Sequence, residues 1–386
     1  MLDYEQIGDR LRSARDMSGM SQQEAASFLE ITSAALSQYE KGKRRIEALY
    51  LERLSHLYGV PLGYFFGRSA PKSDWEEALR SVSGIIPANS KKGVSYLVKQ
   101  VKVLEKLYRM TETPLPGIPH QPFAALGEEH FADYEVEEYA DKVRHYFNLG
   151  IAPLLDLKIF LESLGYHIFS VPFGSDSTEL SGLFFTHPDL GPIIAFNENQ
   201  SYGRAVYTMA HELAHNLYHY DRPTILCRSR DAREIESFAE RFASYFLIPG
   251  EALKDRMKSM HVKTVSTPEE LVHLSRYFGV SYKAMKRRLE RENHLRPEGD
   301  LDNVQPVRLA RSLGYKPTRY EYGIRPLPLE MRLPRISLEL VNHAIAQDLI
   351  SPSYAAEMLL ISDIELEDLF SNIETEESDT AQDVYA

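Results

Sequence analysis

The segment Val206-Tyr207-Thr208-Met209-Ala210-His211-Glu212-Leu213-Ala214-His215-Asn216-Leu217 decides how this 386-residue chain is read. His211 and His215 stand four positions apart, so on a helix of 3.6 residues per turn they share one face, one turn apart. Two imidazoles placed so can hold one tetrahedral zinc ion. Glu212 lies beside that face, where a carboxylate that is not a ligand can take a proton from metal-bound water and pass it to a leaving amine. A match to so short a pattern also arises by chance, usually on a solvated helix face. Here Val206, Met209, Ala210, Leu213, Ala214 and Leu217 make the helix a buried one, and a chain rarely buries two histidines and a glutamate without partners.

A third ligand is expected from a neighbouring helix. Glu236-Ser237-Phe238-Ala239-Glu240 follows about twenty residues on and offers two carboxylates one turn apart. One would bind metal while the other orients an imidazole, and the assignment made is Glu236 as ligand with Glu240 as its support. Water would complete the shell, as a catalytic site requires. Three nearby residues carry weaker signals. Tyr207, one turn before His211, is either a donor to an oxyanion or a packed aromatic with a satisfied hydroxyl. His219, one turn after His215, is either a second-sphere or substrate contact or a structural histidine. Cys227, in what reads as a connecting loop, is taken as packing.

Moving outward, residues 1–67 read as a run of short helices. Ile7, Leu11 and Ala14 fall at helical spacing. Ser21-Gln22-Gln23-Glu24 fits a capping box ahead of a helix expected to bury Ala25, Phe28 and Leu29. A turn at Glu30-Ile31-Thr32 leads to a helix over 33–40 that buries Leu36 and stops at Gly42. Two short helices joined by a tight turn are the helix-turn-helix layout, whose second helix enters the major groove. Thr32, Ser33, Ala34, Ser37 and Gln38 would face outward. Gln38 suits bidentate reading of adenine, and Lys41, Lys43, Arg44 and Arg45 form a patch for phosphates. The competing reading is a protein-interaction module with a solvated basic loop.

The rest of the chain divides into 68–130, a linker with one helix; 131–293; a mostly helical 294–373; and an acidic tail, 374–386, expected to be disordered. The helix at 91–110 carries Val94, Leu97, Val101, Leu104 and Leu107 in phase and reads equally as a dimer helix or a core helix. In the third segment, helices are expected over 134–147 and 153–164, strands over 166–171, 181–185 and 192–196, then helices over 203–219, 232–246 and, as a pair, 267–293. The fold class expected is mixed α and α+β: an all-α DNA-binding domain, a zincin-like α+β domain with a small sheet, and a helical C-terminal region.

Charge limits the function. Lys and Arg number 44 and Asp and Glu 56, a formal charge of −12, so DNA binding must rest on a local patch. The single cysteine excludes an intramolecular disulfide. No apolar run approaches the roughly 20 residues that span a bilayer, and the first residues show no signal pattern. A cytoplasmic protein without membrane contact is expected.

With both constellations in view, two resemblances are plain. Residues 4–67 resemble an XRE-type, phage-repressor-like domain through Ile7, Leu11, Ser21-Gln22-Gln23-Glu24-Ala25-Ala26, Ser37-Gln38-Tyr39-Glu40-Lys41-Gly42 and Leu54. Residues from about 135 to 293 resemble the ImmA/IrrE family of zinc peptidases. Ser181-Gly182-Leu183, Pro192-Ile193-Ile194-Ala195-Phe196-Asn197, Thr208 to His215 with His219, Ile235-Glu236, Ala239 and Phe242 to Pro249 carry that likeness. The resemblance implies zinc on His211, His215 and Glu236, Glu212 as general base, and cleavage of a repressor in stress or mobile-element control. Glu240 departs from the pattern, which usually has Asn there.

Two functions are expected from these signals. One is a regulator-peptidase that binds an operator in double-stranded DNA and cleaves a repressor or an antitoxin or toxin partner, self-cleavage at 111–122 being a variant. The other is a non-proteolytic repressor or antitoxin whose zinc fold is structural or sensory. A homodimer is expected, since helix-turn-helix proteins of this kind read two half-sites.

Overall fold

The computed structural model describes residues 4–17, 21–58, 62–66, 75, 79, 88–118, 120–127, 129–174, 180–220, 224–228, 234–297, 299–316 and 327–369. In chain order its helices begin with α1 (Tyr4–Met17), α2 (Gln22–Phe28), α3 (Ser33–Glu40), α4 (Ala48–Tyr58), α5 (Leu62–Phe65), α6 (Ala88–Met110), α7 (Asp133–Tyr146) and α8 (Leu157–Ser163). Strands β1 (His167–Val171), β2 (Leu180–His187) and β3 (Gly191–Asn197) follow, then α9 (Tyr202–Tyr218), β4 (Thr224–Arg228) and α10 (Glu234–Leu247). Next come α11 (Gly250–Ser259), α12 (Pro268–Phe278), α13 (Tyr282–Arg291), α14 (Pro306–Ser312), α15 (Leu329–Arg332), α16 (Arg335–Ala346) and α17 (Pro352–Leu359). A last helical stretch covers 363–369. The chain forms two compact units, one of residues 1–72, 91–116 and 328–386, the other of 73–90 and 117–327.

In the first unit, α1 to α5 enclose a core that includes Leu11, Ala25, Leu36, Leu54 and Phe65. The capping box at α2 is complete: Glu24 N–H donates to Ser21 Oγ at 3.2 Å, and Ser21 N–H donates to Glu24 Oε2 at 2.8 Å. Thr32 caps α3, accepting from Ala35 N–H at 3.2 Å. The crossing of α1 with the end of α3 is tight: a Cβ on Gly8 would lie 2.8 Å from Gly42 N, and Gly42 itself takes φ +62°. Phe28, expected in the core, is 43% exposed. It ends α2 under Arg53, whose guanidinium lies 5.2 Å from the ring centre and donates to the Phe28 carbonyl at 2.8 Å. An amphipathic cation thus covers a ring that the helical period alone assigns to the core. On α6, Val94, Leu97, Val101, Leu104 and Leu107 are buried, and Gln100 and Lys106 bond to Leu359 and Tyr354 of the C-terminal helices.

In the second unit the sheet has four strands in the order β1-β3-β2-β4. β1 runs parallel to β3, and β2 is antiparallel to both of its neighbours. The fourth strand was not expected; residues 224–228 read as a loop. The register aligns Ile168 with Ile194 and Ile194 with Phe184. These three belong to the same core as Val206, Met209, Ala210, Leu213 and Leu217 of α9 and Phe238, Phe242 and Phe246 of α10. Trp75, in the stretch read as linker, is buried and stacks on Phe185 at 5.5 Å between ring centres.

Two further differences from the sequence reading have physical causes. The helix expected over 153–164 starts only at Leu157. Arg144, itself buried, donates to the carbonyls of Gly150 at 2.7 Å and Ala152 at 2.6 Å, which fixes the preceding segment as a loop. Helix α11, which was not anticipated, begins straight after Pro249, a residue that cannot continue α10 but suits a helix entry. The tail 374–386 lies outside the described residues. Among the described residues no helix is long and apolar enough to cross a membrane.

Gly203 sets the distance between α9 and α13. A Cβ there would sit 2.7 Å from Val280 C and 2.9 Å from Ser281 Cα, backbone atoms that no rotamer change can move. Gly203→Ala should therefore destabilise the protein by about 1–3 kcal/mol, more than the ~1 kcal/mol alanine contributes as a better helix former. Urea unfolding checks this as a lowered midpoint at unchanged slope.

Candidate metal centre and nucleic-acid interface

Helices α9 and α10 pack against each other inside the core of the second unit. Their packing brings one atom each from His211, His215 and Glu236 within 4.8 Å of one another. His211 Nε2 lies 3.1 Å from His215 Nε2 and 3.2 Å from Glu236 Oε2, and His215 Nε2 lies 3.5 Å from Glu236 Oε1. Ligand bonds of about 2.0–2.1 Å at tetrahedral angles give donor separations of roughly 3.3 Å, so this donor set has the spacing of three corners around one small cation. Burial disfavours a charged His211, yet its hydrogen bond to Glu236 and the charges of Glu212, Glu236 and Glu240 outweigh that and raise its pKa. Burial likewise favours the neutral acid at Glu236, but the two imidazoles outweigh it and hold the carboxyl well below its ordinary range.

Around these three atoms the remaining residues fall into place by element. Glu212 is fully buried on α9. It stands against β2 at Gly182, where a Cβ would meet the Glu212 carboxylate, with Cδ at 3.0 Å, and Thr208 Cγ2 at 2.6 Å. Thr208 donates to Gln200 Oε1 at 3.0 Å, and Gln200 Nε2 donates to the Ser181 carbonyl at 3.0 Å, so this end of β2 is tied to α9. His219 Nδ1 lies 3.0 Å from His215 Nδ1. Tyr207 donates its hydroxyl to the Glu240 carbonyl at 2.5 Å. Glu240 is not brought into the cluster; its carboxylate pairs with Arg287 Nη1 of α13 at 3.0 Å. Cys227 lies on β4.

The DNA-binding candidates lie on α3 and the turn after it. Thr32, Gln38, Lys41, Lys43, Arg44 and Arg45 are exposed, and Ser33 and Ser37 half-buried. The amides of Lys43 and Arg44 both donate to the Gln38 carbonyl, at 3.0 and 3.2 Å, which folds the basic turn back over the end of α3. Arg44 lies 5.3 Å from the Tyr39 ring centre and Arg45 5.8 Å from that of Tyr4. Behind this face Arg15 Nε donates to Glu40 Oε1 at 2.6 Å and Gln22 Nε2 to Glu40 Oε2 at 2.7 Å, linking α1, α2 and α3.

Several of these partners left no mark in the sequence. Gly182 against Glu212, Arg287 on Glu240 and Arg15 on Glu40 join residues distant along the chain, and only the packed elements bring them together. The glycine alone offered a hint, because glycine inside a strand often marks a close approach.

Comparison with known proteins follows the same division. A family model described as an IrrE N-terminal-like domain (Peptidase M78) matches residues 161–290, and a helix-turn-helix model matches residues 11–65. The chain is 40% identical over 60 residues to an uncharacterized HTH-type transcriptional regulator of Sinorhizobium medicae, covering 16% of this chain and 43% of that protein. It is 30% identical over 102 residues to the SPbeta prophage-derived uncharacterized HTH-type transcriptional regulator YonR of Bacillus subtilis, covering 26% of this chain and 90% of the relative. It is 40% identical over 62 residues to the HTH-type transcriptional regulator ImmR of Bacillus subtilis, 16% of this chain and 49% of the relative. The match thus spans less than half the length of the rhizobial relative. The chain belongs to the XRE-type helix-turn-helix transcriptional regulators, fused to a domain of the IrrE-like M78 peptidase family. That second domain has a metallopeptidase-like fold.

The contact between Gly182 and Glu212 is testable without reference to function. Gly182→Ala should cost about 1–3 kcal/mol, and the cost should shrink when Glu212→Ala is also present, because the shorter side chain relieves its share of the overlap and leaves only that with Thr208 Cγ2. A double-mutant cycle in urea reads the coupling directly.

Proposed function

We propose that this protein is a DNA-binding regulator whose second domain is a zinc endopeptidase cleaving one specific protein, a repressor or antitoxin-like partner, in stress or mobile-element control. The observation that carries the proposal is the meeting of His211, His215 and Glu236 at donor spacing with Glu212 buried beside them. Residues 131–293 form the peptidase domain and residues 1–67 the DNA-binding domain, acting in the cytoplasm. A homodimer on two half-sites is proposed on the layout of the DNA-binding helices.

His211, His215 and Glu236 would hold the zinc. When bound, zinc supplies Lewis acidity and a water acidified to near neutrality. Each histidine presents Nε2 to the cluster, so each must carry its remaining proton on Nδ1. For His215 that proton points at His219 Nδ1, which accepts it and fixes both the ring and its tautomer. Glu212 takes the proton of the attacking water and delivers it to the leaving amine. Its burial keeps competing bulk water away, while Gly182 leaves room for it against the strand. In the first domain, α3 lies in the major groove with Thr32, Ser33, Ser37 and Gln38 toward bases, and Lys41, Lys43, Arg44 and Arg45 hold phosphates.

A second reading has one observation in its favour. Glu212 and His215 are fully buried and Glu236 nearly so, as suits an ion held for stability or sensing in a repressor that cleaves nothing.

Metal analysis of the purified protein should give one zinc per chain in the wild type and in Glu212→Gln, and none in His211→Ala or Glu236→Ala. New protein N-termini in cells should need Glu212. Their loss in Glu212→Gln, by on the order of 100-fold or more, establishes the peptidase. Identical termini in both strains, with zinc retained, leave the second reading.

The DNA-binding assignment has its own check. Arg44→Ala with Arg45→Ala should weaken operator binding across sequences and lower the salt slope by about 2, measured by titration at several salt concentrations.

A further inference from the structure

In a chain of net charge −12, α13 is a local exception: its sequence carries Lys283, Lys286, Arg287, Arg288 and Arg291 against a single acid, Glu290. These cations have different roles. Lys286 pairs with Asp302 at 2.6 Å. Arg288 is fully buried, donates to the Ile248 carbonyl and packs on the Tyr245 ring at 4.0 Å from its centre. Arg287 and Arg291, one turn apart on one face, differ from both. Arg287 reaches Glu240, one turn beyond Glu236 on α10, and that pair is open to water, its side chains 56% and 37% exposed. Arg291 has its Nη1 buried with no hydrogen-bond partner among the described residues.

Through Glu240 and Tyr207 this strip is linked to the helices that carry the metal cluster. Tyr207, one turn before His211, bonds to the carbonyl of the same Glu240 that Arg287 holds. An exposed pair of this kind contributes little to stability, so a second carboxylate can take Arg287 from Glu240 at little cost. The planar guanidinium accepts a carboxylate through two parallel hydrogen bonds. A buried donor on Arg291 would gain a partner in the same event.

We propose that Arg287 and Arg291 form a specificity subsite beside the metal cluster that reads an acidic side chain, Asp or Glu, of the protein bound there, with Glu240 as the internal carboxylate that the substrate displaces. The inference rests on the peptidase reading above and names the substrate class: a protein segment with an acidic residue close to the scissile bond.

The test separates binding from cleavage. Full-length, zinc-loaded Glu212→Gln protein is applied to an array of synthetic ten-residue peptides carrying Asp or Glu, Asn or Gln, or Lys at one central position. The same is done with Glu212→Gln combined with Arg287→Glu and Arg291→Glu, and with Glu212→Gln combined with Arg287→Ala alone. Unchanged zinc content and melting temperature show that each variant is folded. Preferential retention of the acidic peptides, falling on the order of tenfold or more in the Arg287→Ala variant and turning to lysine peptides in the double charge reversal, is the expected result. Equal retention of all three classes, or an acidic preference untouched by the reversal, overturns the subsite. Retention of duplex DNA in place of the peptides, lost on reversal, also overturns it and places the strip in a nucleic-acid interface. Wild-type protein on the same peptides, read by mass spectrometry, tests the peptidase separately: absent cleavage with acidic retention intact removes the catalytic reading and leaves the subsite as a site of acidic-protein docking.

Discussion

The second unit depends on two helices lying close enough for their polar side chains to meet. Ala210 and Ala214 on α9, and Ala239 and Ala243 on α10, are all fully buried. Small residues at four-residue spacing allow helix axes to approach more closely than leucines would. Phenylalanines at 238, 242 and 246, also four apart, stack along α10 and supply the apolar area that holds the pair together. A polar cluster of two imidazoles and a carboxylate costs free energy to bury, so it exists only because this surrounding packing is extensive. The same spacing that builds the interface aligns His211 with His215 and sets Glu236 opposite them.

That regularity explains what could be read from the sequence. Helix α9 announces itself because one periodicity governs both its apolar residues and its histidines. The capping box at Ser21 and the small, outward-facing set on α3 are local as well, and local patterns survive in one dimension. Strand β4 had no such pattern. Its five residues are defined by pairing with β2, and the bulge between Leu180 and Gly182 in that pairing leaves no trace in residues 224–228. Helix α8 was overestimated because the carbonyls that Arg144 takes from the preceding loop lie six and eight residues beyond it, outside any helical rule. Phe28 was misassigned for a related reason: helical period told which side it faced, but not that Arg53 would be there to cover it. At the site itself, the metal-spaced residues were legible, whereas Gly182 and Arg287 act through space from β2 and α13.

Charge is distributed with the same economy. A strongly acidic protein repels nucleic acid over most of its surface, and the exposed cations Lys41, Lys43, Arg44 and Arg45 are gathered at the end of α3. Both positive segments are anchored by buried chemistry. The turn after α3 is held by bonds to Gln38 and backed by Arg15 and Glu40; α13 is pinned by Arg288 through the Ile248 carbonyl and the ring of Tyr245. In each case a buried arginine ties neighbouring elements together beneath the exposed cations, through the Glu40 carboxylate in one and the Ile248 carbonyl in the other.

On the peptidase reading proposed above, the position of Glu212 sets the demands of a general base against those of folding. A buried carboxylate is costly unless compensated, and the charge of Glu212 acts on His211, its neighbour on the helix. Moving Glu212 toward solvent would lower the cost, but would also carry the carboxylate away from the cluster. Gly182 resolves the conflict sterically. The strand approaches the helix closely enough to exclude water, and the missing Cβ leaves the volume the carboxylate fills. Any larger residue at 182 would force either the strand away from the helix or the carboxylate away from the cluster. The requirement for glycine there is therefore the fold's response to a buried carboxylate, and it ties the register of β2 to the place of Glu212 on α9.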